Sequence, residues 1–78
     1  MKITNRNELE KEMIVKKHAK GKTETYILAS DPYEKMPGEW FVNVAPMADP
    51  EKVEVISLLV YGCGDEIASD IYWLETLN

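Results

Sequence analysis

The sequence predicts a small α+β domain, in which an antiparallel sheet of three or four strands is covered on one face by one N-terminal helix and one or two C-terminal helices. Three observations predict this class: a capping-box spacing near the N-terminus, alternating apolar and polar residues over 39–45, and helix-start signals near residues 49 and 65. Strands and helices that occur in separate blocks are typical of α+β folds. With 78 residues, the chain is expected to form a single domain over 1–78.

The predicted N-terminal helix spans about residues 5–13. Asn5 and Glu8 have the spacing of a capping box, in which the two side chains satisfy backbone N–H groups at the start of a helix. Leu9 and Met13 follow at the i, i+4 spacing of a helical apolar stripe.

A β-hairpin is predicted next, turning at Lys20-Gly21. The β-branched pair Ile14 and Val15 precedes the turn, and a run rich in Thr, Tyr and Ile over 23–28 follows it. This pattern favours a hairpin over an extension of the helix. The segment 31–38 is bounded by the turn signals Asp-Pro and Pro-Gly, so we expect a loop there.

The third predicted strand covers 39–45. Successive strand side chains point to opposite faces, so Trp40, Val42 and Val44 share an apolar face while Phe41 lies among polar neighbours on the other. Phe41 is therefore predicted to be an aromatic side chain on the open face of the sheet.

The C-terminal third is predicted to be helical. Asp49-Pro50-Glu51 is a typical helix start, and it favours helix over the buried strand that the β-branched run 53–61 would equally suit. Asp65 is predicted to cap a last helix that ends at about residue 77. The core stripe of that helix would be Ile67, Ile71 and Leu74.

Charge is distributed unequally along the chain. Residues 39–78 contain eight acidic side chains and one basic one, Lys52, for a formal charge of −7, whereas residues 1–38 contain eight basic and six acidic ones, for +2. The lysines near the hairpin are not interleaved with aromatic residues, so we assign them to solubility or to neutralising the acidic half of the molecule. The overall charge of −5 argues against direct binding to nucleic acid or anionic membranes and favours a protein partner with a basic surface.

Five residues are predicted to bind this partner. On a final helix, Glu66, Asp70 and Trp73 would lie together beside the core stripe. Trp is a frequent anchor of protein interfaces, and the carboxylates can pair with Lys or Arg. Phe41 and Tyr33 are the additional aromatic candidates, on the third strand and on the preceding loop.

Enzymatic and metal-binding functions are not expected. Cys63 is the single cysteine and His18 the single histidine, too few ligands for a structural zinc site. We interpret Cys63 as a small residue in a tight turn and His18 as a solvated hairpin residue, and we expect no cofactor.

The predicted function is therefore an inhibitor or adaptor that binds a basic surface. Two alternatives are a nucleic-acid-mimicking inhibitor of the phage or mobile-element type and a self-associating homo-oligomer. No signal peptide is visible, and the apolar run 55–61 is too short to span a bilayer, so the expected location is the cytoplasm.

Overall fold

The structure is a computed structural model that describes residues 1–61 and 71–77. Within these residues the chain forms one six-stranded antiparallel sheet and no α-helix. The strands are β1 (Ile14–Ala19), β2 (Lys22–Leu28), β3 (Tyr33–Met36), β4 (Glu39–Pro46), β5 (Glu54–Ser57) and β6 (Tyr72–Thr76). A single-turn 3₁₀ helix, Arg6–Glu8, precedes them. The predicted α+β class with terminal helices is therefore wrong, because the fold is nearly all sheet.

The strands are ordered β6–β1–β2–β4 across the sheet, with β3 and β5 also paired to β4. Phe41 of β4 is paired with Tyr33 of β3 on one edge and with Ser57 of β5 on the other, so both edges of β4 are occupied there. At the far side of the sheet, the N-terminal segment covers β6: the Ile3 N–H donates to the Leu74 carbonyl at 2.8 Å. The chain's first residues thereby close the open edge of its last strand.

The core lies on the inner face of the sheet. Its members alternate with outward-facing residues along each strand, as expected for a sheet buried on one face. The buried cluster consists of Ile3, Leu9, Val15, Tyr26, Leu28, Val42, Val44, Ile56, Leu58, Tyr61 and Leu74.

The predicted hairpin and the predicted third strand are confirmed. β1 and β2 pair in register from Ile14↔Ile27 to Ala19↔Lys22, which leaves Lys20 and Gly21 as a two-residue turn. Both turn residues have positive φ, 51° and 81°, the conformation that matches the twist of a hairpin. On β4, Val42 and Val44 are buried, as the alternation predicts.

The predicted helix over 5–13 is wrong beyond its first turn. The capping box forms: the Asn5 side chain accepts from the Asn7 N–H, and Glu8 accepts from the Thr4 and Asn5 N–H groups at 2.9 Å. These hydrogen bonds lower the pKa of Glu8. A longer helix does not follow, because a short isolated helix is marginal and the β-branched residues after Met13 gain more by pairing with two strands.

The predicted helix starting at Asp49 is also wrong. The Lys52 N–H donates to the Asp49 carbonyl at 3.1 Å, which closes a turn, and the chain then enters β5. Asp followed by Pro suits the first two positions of a β-turn as well as a helix start, so the signal was ambiguous. The β-branched residues of β5 pair with β4, and this pairing stabilises a strand rather than a helix.

The predicted last helix, ending at about residue 77, is replaced at its C-terminal end by β6. Leu74 is fully buried while Ile71 is 55% exposed, so the helical core stripe is absent from the described part of this segment. β6 pairs with β1 from Val15↔Thr76 to Ala19↔Tyr72. The remainder of the predicted helix, with Asp65 and Ile67, lies outside the described residues.

Candidate functional site

Tyr33 and Phe41 contact each other on the outer face of the sheet. They are directly paired across β3 and β4, and their ring centroids are 6.3 Å apart with an interplanar angle of 31°. The Tyr33 hydroxyl donates to Asn43 Oδ1 at 2.7 Å, which fixes the orientation of the phenol. The Lys35 ammonium lies 5.6 Å from the Phe41 centroid. Two sequence-predicted site residues are thereby brought together in a defined arrangement.

An exposed aliphatic residue adjoins this pair. Val55 is paired with Asn43 across β4 and β5, on the same side of the sheet as Phe41, and it is 54% exposed. We call Tyr33, Phe41, Asn43 and Val55 the aromatic face. The segment that carries it, residues 31–57, contains six acidic and two basic side chains, a formal charge of −4.

Trp73 lies on the outer face of β6, away from the aromatic face. It is half-buried and pairs across the strands with His18. The prediction groups it with Glu66 and Asp70 by helical spacing, but the chain is a strand at Trp73. Glu66 and Asp70 lie outside the described residues, as does Cys63.

His18 is the hub of a hydrogen-bonded chain across β2, β1 and β6. Its Nε2 is 3.0 Å from Glu75 Oε1, and its Nδ1 is 2.9 Å from Thr23 Oγ1. The imidazole stacks on the Trp73 indole, and Lys2 Nζ is 5.3 Å from the indole centroid. The hydrogen bond from His18 is the main cause of the lowered pKa of Glu75. The interpretation of His18 as a solvated hairpin residue is therefore wrong, since only 19% of its side chain is exposed.

The order hydroxyl, imidazole, carboxylate also occurs in enzymes that activate a nucleophile. Here the three groups stand on the open face of a sheet, and the cleft described below is lined by other residues. We interpret this group as a clamp that joins three strands, and we call Thr23, His18, Trp73 and Glu75 the strand clamp.

A second polar cluster lies at the end of the inner face. The buried Tyr26 hydroxyl is 3.3 Å from Glu24 Oε2 and 3.2 Å from Glu54 Oε2. Lys17 Nζ lies 4.6 Å from the Tyr26 ring centroid and 4.0 Å from Glu54 Oε1. Burial, followed by the charges of Glu54 and Glu24, raises the pKa of Tyr26 far above its ordinary value. The cluster neutralises polar groups at the core margin, and its role is structural.

A cleft of about 300 Å³ opens beside the 3₁₀ helix. It is lined by Arg6, Asn7, Leu9, Pro32 and Trp40. The Arg6 guanidinium carbon lies 4.2 Å from the Trp40 ring centroid, close enough for a cation–π contact. Trp40 was predicted to lie on the apolar face of its strand, but its pairing with Arg6 has no signal in the sequence, because it depends on how the N-terminal segment crosses the sheet.

Within 1–61 and 71–77, no group of three or more His, Cys, Asp or Glu side chains is placed to hold a metal ion. In the same part of the chain, no helix is long and apolar enough to cross a membrane.

The chain was compared with known proteins at three levels. No family model, no curated protein and no solved structure matched it significantly. The functional interpretation therefore depends on the geometry of the site.

Proposed function

We propose that the protein is a small non-enzymatic interaction module that binds a basic surface of another protein and acts as a cytoplasmic inhibitor or adaptor. The observation that supports the proposal is the contact between Tyr33 and Phe41 on the outer face of the sheet, next to the exposed Val55. Aromatic residues that are already oriented in the free protein lose little conformational entropy when they bind.

Charge supports the choice of partner. The segment bearing the aromatic face has a formal charge of −4, and the complete chain has −5. A negative surface around an apolar centre favours encounter with a positive one and disfavours polyanions. Glu66 and Asp70 add to this negative charge and remain part of the proposed binding residues, whereas Trp73 is assigned to the strand clamp.

A capture experiment with matched variants tests the proposal. Tagged wild-type protein, Phe41→Ala and Leu59→Ala are incubated with an extract of the native host, and the retained proteins are identified by mass spectrometry. Leu59, in the turn after β5, is 50% exposed, similar to Val55, and lies outside the aromatic face.

We expect a protein with a basic surface to be retained by the wild type and by Leu59→Ala, and to be reduced about tenfold or more on Phe41→Ala. Equal retention by all three folded proteins would show that the aromatic face is not the binding surface. Circular dichroism of each variant checks that it is folded.

Self-association is the second candidate function. Among the described strands, β5 is paired with β4 alone, and Val53 and Val55 beside this edge are 53% and 54% exposed. An apolar, singly paired edge strand favours pairing with another chain. Light scattering separates the two candidates: a monomer mass supports the interaction module, whereas a dimer mass that reverts to monomer in Val55→Lys supports self-association.

The nucleic-acid-mimic alternative has less support. It requires carboxylates spaced along a helix, and residues 49–57 provide a turn and β5 instead.

A further inference from the structure

The cleft between the 3₁₀ helix and Trp40 contains a cation that is held in place without being neutralised. Arg6 is half-buried over the Trp40 indole, at 4.2 Å from the ring centroid. Within residues 1–61 and 71–77, no carboxylate or carbonyl forms an ion pair or hydrogen bond with its guanidinium. A cation–π contact uses the charge of the guanidinium but none of its N–H donors as hydrogen bonds, so these remain available to a ligand.

Three acidic side chains near the cleft in sequence, Glu8, Asp31 and Glu34, have other partners. Asp31 Oδ1 accepts from the Lys11 N–H at 2.7 Å, and Glu34 Oε2 accepts from the Gly38 N–H at 2.9 Å. Glu8 is bound in the capping box by the Thr4 and Asn5 N–H groups. Glu8 and Glu34 therefore stabilise local turns and Asp31 links its loop to the segment at Lys11, while the Arg6 guanidinium keeps an available positive charge in an acidic protein.

The lining of the cleft is mainly polar, with a smaller apolar part. Pro32 and Trp40 provide the apolar part over the buried Leu9, and Asn7 adds an exposed side-chain amide that has no hydrogen bond to another described residue. A volume of about 300 Å³ is at the lower end for ligand sites and suits one or two residues rather than a long ligand.

We propose that this cleft binds the C-terminal residue of a polypeptide, with the terminal carboxylate on Arg6, the apolar side chain on Trp40 and Pro32, and the preceding peptide group on the Asn7 amide. A carboxylate is favoured over phosphate because one guanidinium balances one negative charge, and the net charge of −5 repels a dianion. A free amino acid is disfavoured because its ammonium would have no acidic partner among the lining residues.

Two-dimensional NMR of the ¹⁵N-labelled protein tests the proposal, with N-acetyl-glycyl-leucine as the probe. The chain has two indole N–H signals, and that of Trp73, on another face, is an internal control. We expect the Trp40 indole signal to move saturably with the acid and the Trp73 signal to stay in place. The C-terminal amide of the same peptide, free leucine and inorganic phosphate are each expected to bind at least tenfold more weakly.

Three variants assign the effect to Arg6. Arg6→Gln is expected to weaken binding of the acid at least tenfold, while Arg6→Lys retains partial binding because it keeps the charge without the planar fork. Lys35→Gln removes a different cation, one that lies over the Phe41 ring outside the cleft, and is expected to leave binding unchanged.

Equal movement with the acid and its amide, or unchanged binding by a folded Arg6→Gln variant, would overturn the proposal. Equal binding of phosphate would also overturn it, because the site would then be a general anion site. The cleft does not include Tyr33, Phe41 or Val55. If the cleft does not bind a C-terminal carboxylate, the proposed function of the aromatic face is therefore unaffected.

Discussion

The imidazole of His18 lies flat against the indole of Trp73, with ring centroids 3.8 Å apart and an interplanar angle of 11°. This contact joins β1 to β6, two strands from opposite ends of the chain. Hydrogen bonds that the same imidazole forms with Thr23 and Glu75 extend the connection over three neighbouring strands. The strand clamp is therefore a principal side-chain link between the N-terminal and C-terminal parts of the sheet.

Replacing the imidazole tests this role. His18→Ala removes the ring stack and both hydrogen bonds, and we expect the free energy of unfolding to fall by about 1–2 kcal/mol. Urea unfolding followed by tryptophan fluorescence measures the change. Lys22→Ala, at an exposed position on the same hairpin, is the control and should change stability by less than about 0.5 kcal/mol. Equal effects of the two substitutions would show that His18 is not a clamp.

Acid should weaken the same connection through Glu75. Its pKa is lowered in the folded state, chiefly by the hydrogen bond from His18, so its stabilising contribution is present above the ordinary value of 4.5. The contribution is lost as the pH falls through the lowered folded pKa. The stability difference between wild type and Glu75→Gln should therefore be present near neutral pH and should decrease as the pH falls below 4.5.

The control for this titration is Glu51→Gln, which changes an exposed carboxylate in the turn before β5. Urea midpoints measured across the acidic range give the comparison. A stability difference between wild type and Glu75→Gln that stays constant with pH would show that ionisation of Glu75 does not contribute to stability.

Tyr26 should make the protein sensitive to alkaline pH. Its folded pKa is raised by burial and by Glu54 and Glu24, so its stabilising contribution is present below the unfolded value of about 10 and is lost as the pH rises above it. Tyr26→Phe should lower stability by about 1 kcal/mol at neutral pH and should flatten the alkaline decline. An equally steep decline in the Phe variant, measured by urea unfolding, would exclude Tyr26 as its source.

The capping box should position Arg6. Asn5→Ala removes the acceptor for the Asn7 N–H, and we expect a loss of about 1 kcal/mol of stability. The Trp40 indole signal should shift, because Arg6 lies on the same 3₁₀ turn and over the Trp40 ring. Asn78→Ala provides the same chemical change at the end of the chain. A Trp40 signal that does not respond to Asn5→Ala would separate the capping box from the cleft.

Local signals were sufficient for the middle of the sheet. The Lys20-Gly21 turn and the alternation over 39–45 predict the β1–β2 hairpin and β4 correctly, because these features are set by neighbouring residues. Contact between Tyr33 and Phe41 follows from the short connection between β3 and β4, although the sequence predicted a loop where β3 lies.

The ends of the chain could not be predicted in the same way. β6 has only five residues, too few for its alternating pattern to be distinguished from a helical one in the sequence. Its pairing with β1, which a local pattern does not show, makes it a strand. His18 is distant in sequence from Trp73, and Arg6 is distant from Trp40, so no local pattern joins either pair. Pairing between distant segments therefore determines both the conformation of β6 and these side-chain contacts.

Photo-crosslinking in the native host tests the central claim most directly. A benzophenone amino acid is placed at position 41 on the aromatic face and, as a control, at exposed position 22 on the basic hairpin. We predict that position 41 yields a discrete crosslink to a protein with a basic surface and that position 22 does not. Absence of a crosslink from position 41, or the same crosslinked proteins from both positions, would contradict the assignment of the aromatic face as the binding surface.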